Sequence, residues 1–326
     1  MSLIVGPSVT KQELERHLAQ HYELGKLHSY SKMKKGLGNA LYRIRTTTGD
    51  YTFKIAIRNN PVRVGYEIEL LRHVKHLPIP QPVRAKDGTY LRDFKGYKSF
   101  LYPFLPGIER KRFTDTMLRG VGTFLGKLHL QTRGFSSKIP RIEYYDMPSK
   151  NLAKILKDAS KEKHPILAEA IAYAGDQLLS YELPKNLPRG AMHIDLKPEN
   201  ALFRNGRLSG VVDFDNSYTG PLLLDLANTL MWWCSHNGRF DFRKARIIYK
   251  AYTKERPLSG AERAAFFTVF HYNILSHFIV NPYVHHSKDF PTLRIPQDYM
   301  LWEVKHLLAT QRNLHISKEK FATLFV

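Results

Sequence analysis

Met192-His193-Ile194-Asp195-Leu196-Lys197-Pro198-Glu199-Asn200-Ala201-Leu202-Phe203 is the stretch whose reading decides the fold, and it runs on to Val211-Val212-Asp213-Phe214-Asp215. Two short runs, Ala201 to Arg204 and Leu208 to Phe214, read as strands. Between them stands Asn205-Gly206, the residue pair of a type I′ hairpin, in which both central positions need positive φ. Asp195 and Asn200 then lie at the two ends of one loop, and the hairpin brings Asp213 back to the neighbourhood of Asn200. Two carboxylates and an amide meet within one supersecondary unit, which a solvated surface loop has no reason to arrange.

Phosphoryl transfer needs these groups and few others. One carboxylate must orient the attacking hydroxyl and take its proton. A carboxylate and an amide oxygen must hold magnesium against the phosphates, because that hard cation prefers oxygen ligands. Asp195 fits the first role, and Asn200 with Asp213 fits the second. His193 is expected to brace the loop backbone rather than to do chemistry. Asp225 is expected to anchor the loop by accepting backbone hydrogen bonds at a helix start. Asp215 is a further candidate for metal or substrate.

The pattern His193-x-Asp195-x-x-x-x-Asn200, followed by a hairpin and an Asp, resembles the signature of protein-kinase-like folds. The loop itself is very like the catalytic loop of eukaryotic protein kinases, and that likeness implies that Lys197 reaches the transferring phosphate; a solvent-facing lysine is the alternative. The next segment, Asp213 to Ala227, is instead similar to the aminoglycoside phosphotransferase and choline kinase branch. Only 11 residues separate Asp213 from Asp225, too few for a protein-kinase activation segment. Within that branch, Leu208 to Phe214, Leu224-Asp225-Leu226-Ala227 and Trp233-Cys234 look most like bacterial homoserine kinases. One position departs: Trp232 stands where that pattern carries an acidic residue. The resemblance spans most of the chain and is sharp over residues 190–234. It implies an α+β, protein-kinase-like two-lobed fold, ATP and Mg as cofactors, and a small-molecule hydroxyl as acceptor, homoserine or another amino alcohol. The competing readings are a protein kinase, an aminoglycoside phosphotransferase, and a basic nucleic-acid-associated protein that reuses the fold.

Upstream lies the expected nucleotide-binding half. Lys35-Gly36-Leu37-Gly38-Asn39-Ala40 sits between two strands, and Gly36 and Gly38 allow backbone to approach phosphates closely. Lys54 lies on a third strand, where the fold places its phosphate-binding lysine. A lysine directed into a lobe needs a carboxylate, and Glu67 is the candidate. Leu70, Leu71 and Val74 follow Glu67 at three, four and seven residues, so Glu67 belongs to the inward edge of its helix, whereas Glu69 is expected to face solvent. Main-chain groups near Tyr102 and Phe104 are the expected adenine contacts. The GxxxxGK[ST] phosphate loop is absent, which excludes that class of NTPase.

The remaining pattern gives an N-terminal lobe over residues 1–104 and a catalytic and acceptor-binding lobe over residues 105–326. Thr10 and Glu13 have capping-box spacing and open a first helix. An N-terminal antiparallel sheet with a helix follows, and Asp87-Gly88 marks a hairpin between Val83-Arg84-Ala85 and Tyr90-Leu91. Beyond a Pro/Gly linker the chain is mostly helical, with the Asn205-Gly206 hairpin as its one strand pair. Trp232, Tyr272 and His277 either line the acceptor pocket or fill the core. Cys234 is the single cysteine, which excludes a disulfide framework and favours a reducing, cytoplasmic location. No signal peptide and no membrane span is expected. Fifty Lys and Arg against 29 Asp and Glu give +21, a field that attracts phosphates. That charge leaves nucleic acid open as a partner, but no motif indicates it. The oligomeric state is not legible.

Overall fold

A computed structural model describes residues 7–33, 39–57, 61–139, 149–181, 183–236, 238–290, 294–315 and 318–322. The chain divides into two compact units, Met1–Pro106 with Ser137–Arg141, and Gly107–Ser136 with Ile142–Val326. Gly36 and Gly38 lie outside the described residues.

The first unit opens with α1 (Lys11–His21), whose N-cap Thr10 and Glu13 form the reciprocal capping box. Five strands follow: β1 (Leu27–Lys32), β2 (Ala40–Thr46), β3 (Gly49–Ala56), β4 (Arg92–Phe94) and β5 (Tyr97–Pro103). They pair antiparallel in the order β1-β2-β3-β5-β4. Leu14 and Leu18 of α1 join Ile44, Phe53 and Ile55 in one core cluster. Strand alternation sends Lys54 to the opposite face from Phe53 and Ile55. There α2 (Pro61–His73) supplies Glu67, buried like Leu70 and Leu71.

The Asp87-Gly88 turn forms, with Gly88 N–H donating to Ala85 O at 2.9 Å, but its flanks are not strands. Pro80 and Pro82 lack the N–H a ladder needs, and Asp87 turns its carboxylate back onto Thr89 N at 3.0 Å. The hairpin is made one step later by Lys95-Gly96, both at positive φ, which joins β4 to β5. Glu69 also differs from expectation: it is half-buried, and its carboxylate accepts from the Ser137 hydroxyl.

The second unit is helical around small sheets. Its helices are α3 (Asp115–Thr132), α4 (Ser149–Ala159), α5 (Pro165–Leu179), α6 (Leu222–Cys234), α7 (Phe242–Glu255), α8 (Gly260–His286), α9 (Gln297–His315) and α10 (Lys318–Ala322). The buried α8 packs against α4, α5, α6 and α9. A Cβ at Gly122 would lie 2.2 Å from Ile248 O, so glycine lets α3 close onto α7. The Asn205-Gly206 hairpin joins β7 (Ala201–Arg204) to β8 (Arg207–Val211), with both turn residues at positive φ. It is not the only strand pair. β6 (Arg189–Met192) pairs with β9 (Tyr218–Pro221), and β10 (Ser235–His236) with β11 (Arg239–Phe240). Strand β8 ends at Val211, short of the expected Phe214, because Asp213 takes a left-handed conformation. No helix among the described residues is long and apolar enough to cross a membrane.

Candidate active site

The loop from His193 to Asn200 links β6 to β7, and α6 holds it from below. Asp225 Oδ2 accepts from His193 N–H at 2.7 Å, and Oδ1 accepts from Ile194 N–H at 2.9 Å. Asn228 donates to Ile194 O at 2.5 Å, and the Trp233 indole donates to Leu196 O at 2.8 Å. Positions 225, 228 and 233 share one face of a helix, so a single rigid element fixes four backbone groups of the loop. This gives the Trp233-Cys234 pair its physical meaning: the indole is a loop anchor and the buried cysteine is core.

Asp225 is itself braced. His129 Nε2 lies 3.0 Å from Asp225 Oδ2, and His129 Nδ1 lies 2.8 Å from the Tyr252 hydroxyl, which also accepts from Arg256. Arg256 pairs with Glu262 at 2.8 Å. Burial pulls His129 below its ordinary pKa, against the upward pull of Asp225. A neutral imidazole with Nε2–H toward Asp225 and Nδ1 accepting from Tyr252 satisfies every group in this chain.

Asp195 is buried at the head of the loop. It takes Lys197 Nζ at 3.2 Å on Oδ1 and the Asn200 amide at 3.3 Å on Oδ2, with Asn216 Nδ2 at 3.5 Å. His193 does brace backbone: Nε2 donates to Val212 O at 3.0 Å, and Nδ1 accepts from Asp195 N–H at 3.2 Å. Burial works against the charge of Lys197, but Asp195, Tyr299, Asp213 and Glu199 outweigh it and hold the ammonium well above the ordinary lysine range. Asn200 spends its amide nitrogen on Asp195 O at 2.7 Å, so its side-chain oxygen is not used in that bond. Val212 N–H donates to Asn200 O at 2.9 Å, so Asn200 and Asp213 are held as neighbours. Asp213 has φ of 67° and is exposed, whereas Asp215 is buried. Two oxygen donors of this kind suit magnesium, which keeps waters and substrate phosphates as its other ligands. Among the described residues no group of three or more His, Cys, Asp or Glu is placed to hold a metal alone.

In the first unit, Lys54 Nζ donates to both Glu67 oxygens, at 2.8 and 3.0 Å, and both residues are buried. Phe104 spends its N–H on Asp50 O at 3.0 Å and carries Arg43 over its ring at 4.0 Å. Its N–H is therefore already engaged within the unit. Tyr102 lies on β5, past the last β4 pairing at Ser99.

A family model described as the phosphotransferase enzyme family matches residues 29–258, more than half of the chain. The chain belongs to that family. It is 32% identical over 268 residues to the homoserine kinase of Xanthobacter autotrophicus, covering 81% of this chain and 82% of that one. It is also 32% identical over 255 residues to the homoserine kinase of Pseudomonas aeruginosa, covering 77% and 79%. Among solved structures, an amicoumacin kinase in complex with AMP-PNP, Ca2+ and amicoumacin aligns with a TM-score of 0.69 at 18% identity, over 93% of this chain and 94% of that one. A microcompartment-associated aminopropanol kinase aligns with a TM-score of 0.63 at 16% identity, over 94% and 98%. These two establish the protein-kinase-like fold.

Sequence reasoning did not find Asn216, Asn228, Tyr299 or Glu303. The Tyr299 hydroxyl is pushed above its ordinary pKa by burial and by Glu303, Asp195 and Glu199, with Lys197 opposing. It therefore belongs to the electrostatic surroundings of the loop, although more than a hundred residues separate it from Asp195. Tyr299 and Glu303 are one helical turn apart on α9, but that spacing does not tie either of them to a loop so distant in sequence.

Proposed function

We propose that this phosphotransferase moves the γ-phosphate of Mg-ATP to the hydroxyl of a small amino alcohol, homoserine first among them. The observation that carries the reading is the Asp195 carboxylate, buried and fixed between Lys197 and Asn200 at the head of a loop whose backbone α6 pins at four groups. A fixed carboxylate of this kind orients an acceptor hydroxyl and takes its proton as phosphorus is attacked. Lys197, kept cationic, balances charge on the transferring group. Asn200 Oδ1 and Asp213 would hold the magnesium of the nucleotide, and Lys54, oriented by Glu67, would bind its phosphate oxygens. Main-chain groups of Tyr102 and Phe104, together with Gly36 and Gly38, complete the proposed nucleotide contacts. Bound Mg-ATP supplies the transferable phosphoryl group and the metal charge that neutralises it.

Homoserine is favoured over an aminoglycoside because the relatives above 30% identity carry that name, whereas the antibiotic kinases are similar in fold alone. The test is ADP release with Mg-ATP against homoserine, choline, ethanolamine, sugars and aminoglycosides, with Asp195→Asn as control. Homoserine-dependent release that the control lacks supports the reading. Release driven only by an aminoglycoside would move the substrate assignment, and equal release by the control would remove Asp195 as the base.

A further inference from the structure

Ile194 precedes Asp195 and has φ of 55°, a conformation that is costly for a β-branched residue and persists only where its surroundings impose it. Its N–H is taken by Asp225, as described. Its carbonyl is taken by Asn228, and from there a second buried line runs in a different direction. Asn228 Oδ1 lies 2.9 Å from His277 Nε2, and His277 Nδ1 lies 3.1 Å from Glu303 Oε1. Glu303 Oε2 accepts from the Asn281 amide. Asn228, His277 and Glu303 are 0%, 3% and 2% exposed, so solvent cannot substitute for a missing partner. The three sit on α6, α8 and α9, so the line connects the catalytic loop to the last long helix of the unit.

Chemistry fixes the polarity of every link. A carbonyl only accepts, so Asn228 must turn its NH2 toward Ile194 and its oxygen toward His277. His277 must then carry hydrogen on Nε2. A single proton has to lie between Nδ1 and Glu303 Oε1, because two bare acceptors at that distance repel. The Ile194 carbonyl fixes the orientation of Asn228, and His277 and Glu303 buttress that orientation from α8 and α9.

We infer that Glu303, acting through His277 and Asn228, is a positioning residue for phosphoryl transfer: it fixes the Ile194 peptide and through it the direction of the Asp195 carboxylate. The inference rests on Asp195 as the base. A network that merely stabilised the fold would lower the melting temperature without separating turnover from nucleotide use. A positioning network acts on kcat and leaves the KM for ATP nearly unchanged.

The experiment is steady-state kinetics at saturating Mg-ATP and acceptor for Asn228→Asp, Glu303→Ala, Glu303→Gln and Asp195→Asn, with melting temperatures for each. Asn228→Asp keeps the shape but cannot donate to Ile194 O, and it is expected to lower kcat about 10- to 100-fold, with the KM for ATP within about two-fold. Glu303→Ala is expected to lower kcat about 10-fold. Glu303→Gln is expected to recover most of that loss, because its amide nitrogen can donate to His277 Nδ1 while its oxygen still accepts from Asn281. Comparing Ala with Gln at one position keeps the test informative even where Asn228→Asp does not fold. Unchanged kcat in Asn228→Asp and Glu303→Ala beside an inactive Asp195→Asn would overturn the inference, as would a Gln variant as slow as the Ala variant. Full activity in Asp195→Asn would instead overturn the assignment of the base.

Discussion

Two buried carboxylates, one in each unit, are partnered in opposite ways. In the first, Lys54 and Glu67 neutralise each other through one ion pair on the buried face of the sheet that α2 covers. In the second, the Asp225 carboxylate is met by three N–H donors, two from the loop backbone and one from a neutral histidine. An ion pair is two long side chains that hold each other. A carboxylate ringed by N–H groups instead holds the backbone that carries them, and it transmits the rigidity of α6 to the loop. The first arrangement suits a group that must present charge, and the second suits one that must present geometry.

The comparison is broken most severely at Asp195, the proposed base on the loop that the second arrangement holds. Asp195→Asn is expected to lower turnover by about 10² or more while nucleotide binding persists, since the proposed proton acceptor is lost. Single-turnover kinetics beside an ATP-binding titration separates the two. Equal losses in both would mean that the loop, and not the base, had been damaged.

Asp225→Asn comes next. One oxygen remains, and the new NH2 group must confront at least one N–H. Each buried group left without a partner costs about 1–3 kcal/mol, so a fall in melting temperature should accompany a drop in kcat. Lys54→Met should behave differently. Removing the ammonium that neutralises Glu67 costs about 3–5 kcal/mol, and pairing it with Glu67→Met should restore most of that stability. ATP use should not return with it. Should the double variant regain ATP use as well, the pair would be a structural device and not a phosphate-binding one.

The contrast also explains what was legible in the chain. Lys54 and Glu67 could be matched because strand and helix periodicity each place one side chain on a known face. Asp195, Asn200 and Asp213 could be matched because one hairpin and its turn residues bring them together. Asp225 was legible as an anchor because it opens a helix. Asn228 and Glu303 were not, and His277 was singled out without its partners, since their contacts join three helices that are distant in sequence and no local period encodes them. The β6–β9 pair was hidden for a related reason: Arg189–Met192 and Tyr218–Pro221 are four residues each, too short to show alternation, and are paired across the whole catalytic loop. The Asp87-Gly88 turn misled in the other direction, because a correct turn signal says nothing about whether proline-bearing flanks can form a ladder.

The smallest effect concerns two buried histidines, one in each unit. His129 has both ring nitrogens engaged, whereas His17 is packed against Phe53 and Phe94 with Nε2 buried and without a hydrogen-bond partner. Burial, aided by His21 and Arg92, lowers the His17 pKa from 6.5 to about 4. The unfolded chain therefore binds a proton that the folded chain refuses, and stability is lost as pH falls from the ordinary histidine value toward the lowered one. After discounting for solvent screening, that loss is about 1–2 kcal/mol. His17→Phe should be neutral near pH 7 and should flatten the fall in melting temperature between roughly pH 6.5 and 4.5. His129→Phe should lower the melting temperature at every pH, because Asp225 and Tyr252 each lose a partner that phenylalanine cannot replace. If the two variants gave parallel curves against pH, the distinction between a histidine used as packing and one used as a hydrogen-bond relay would fail for this protein.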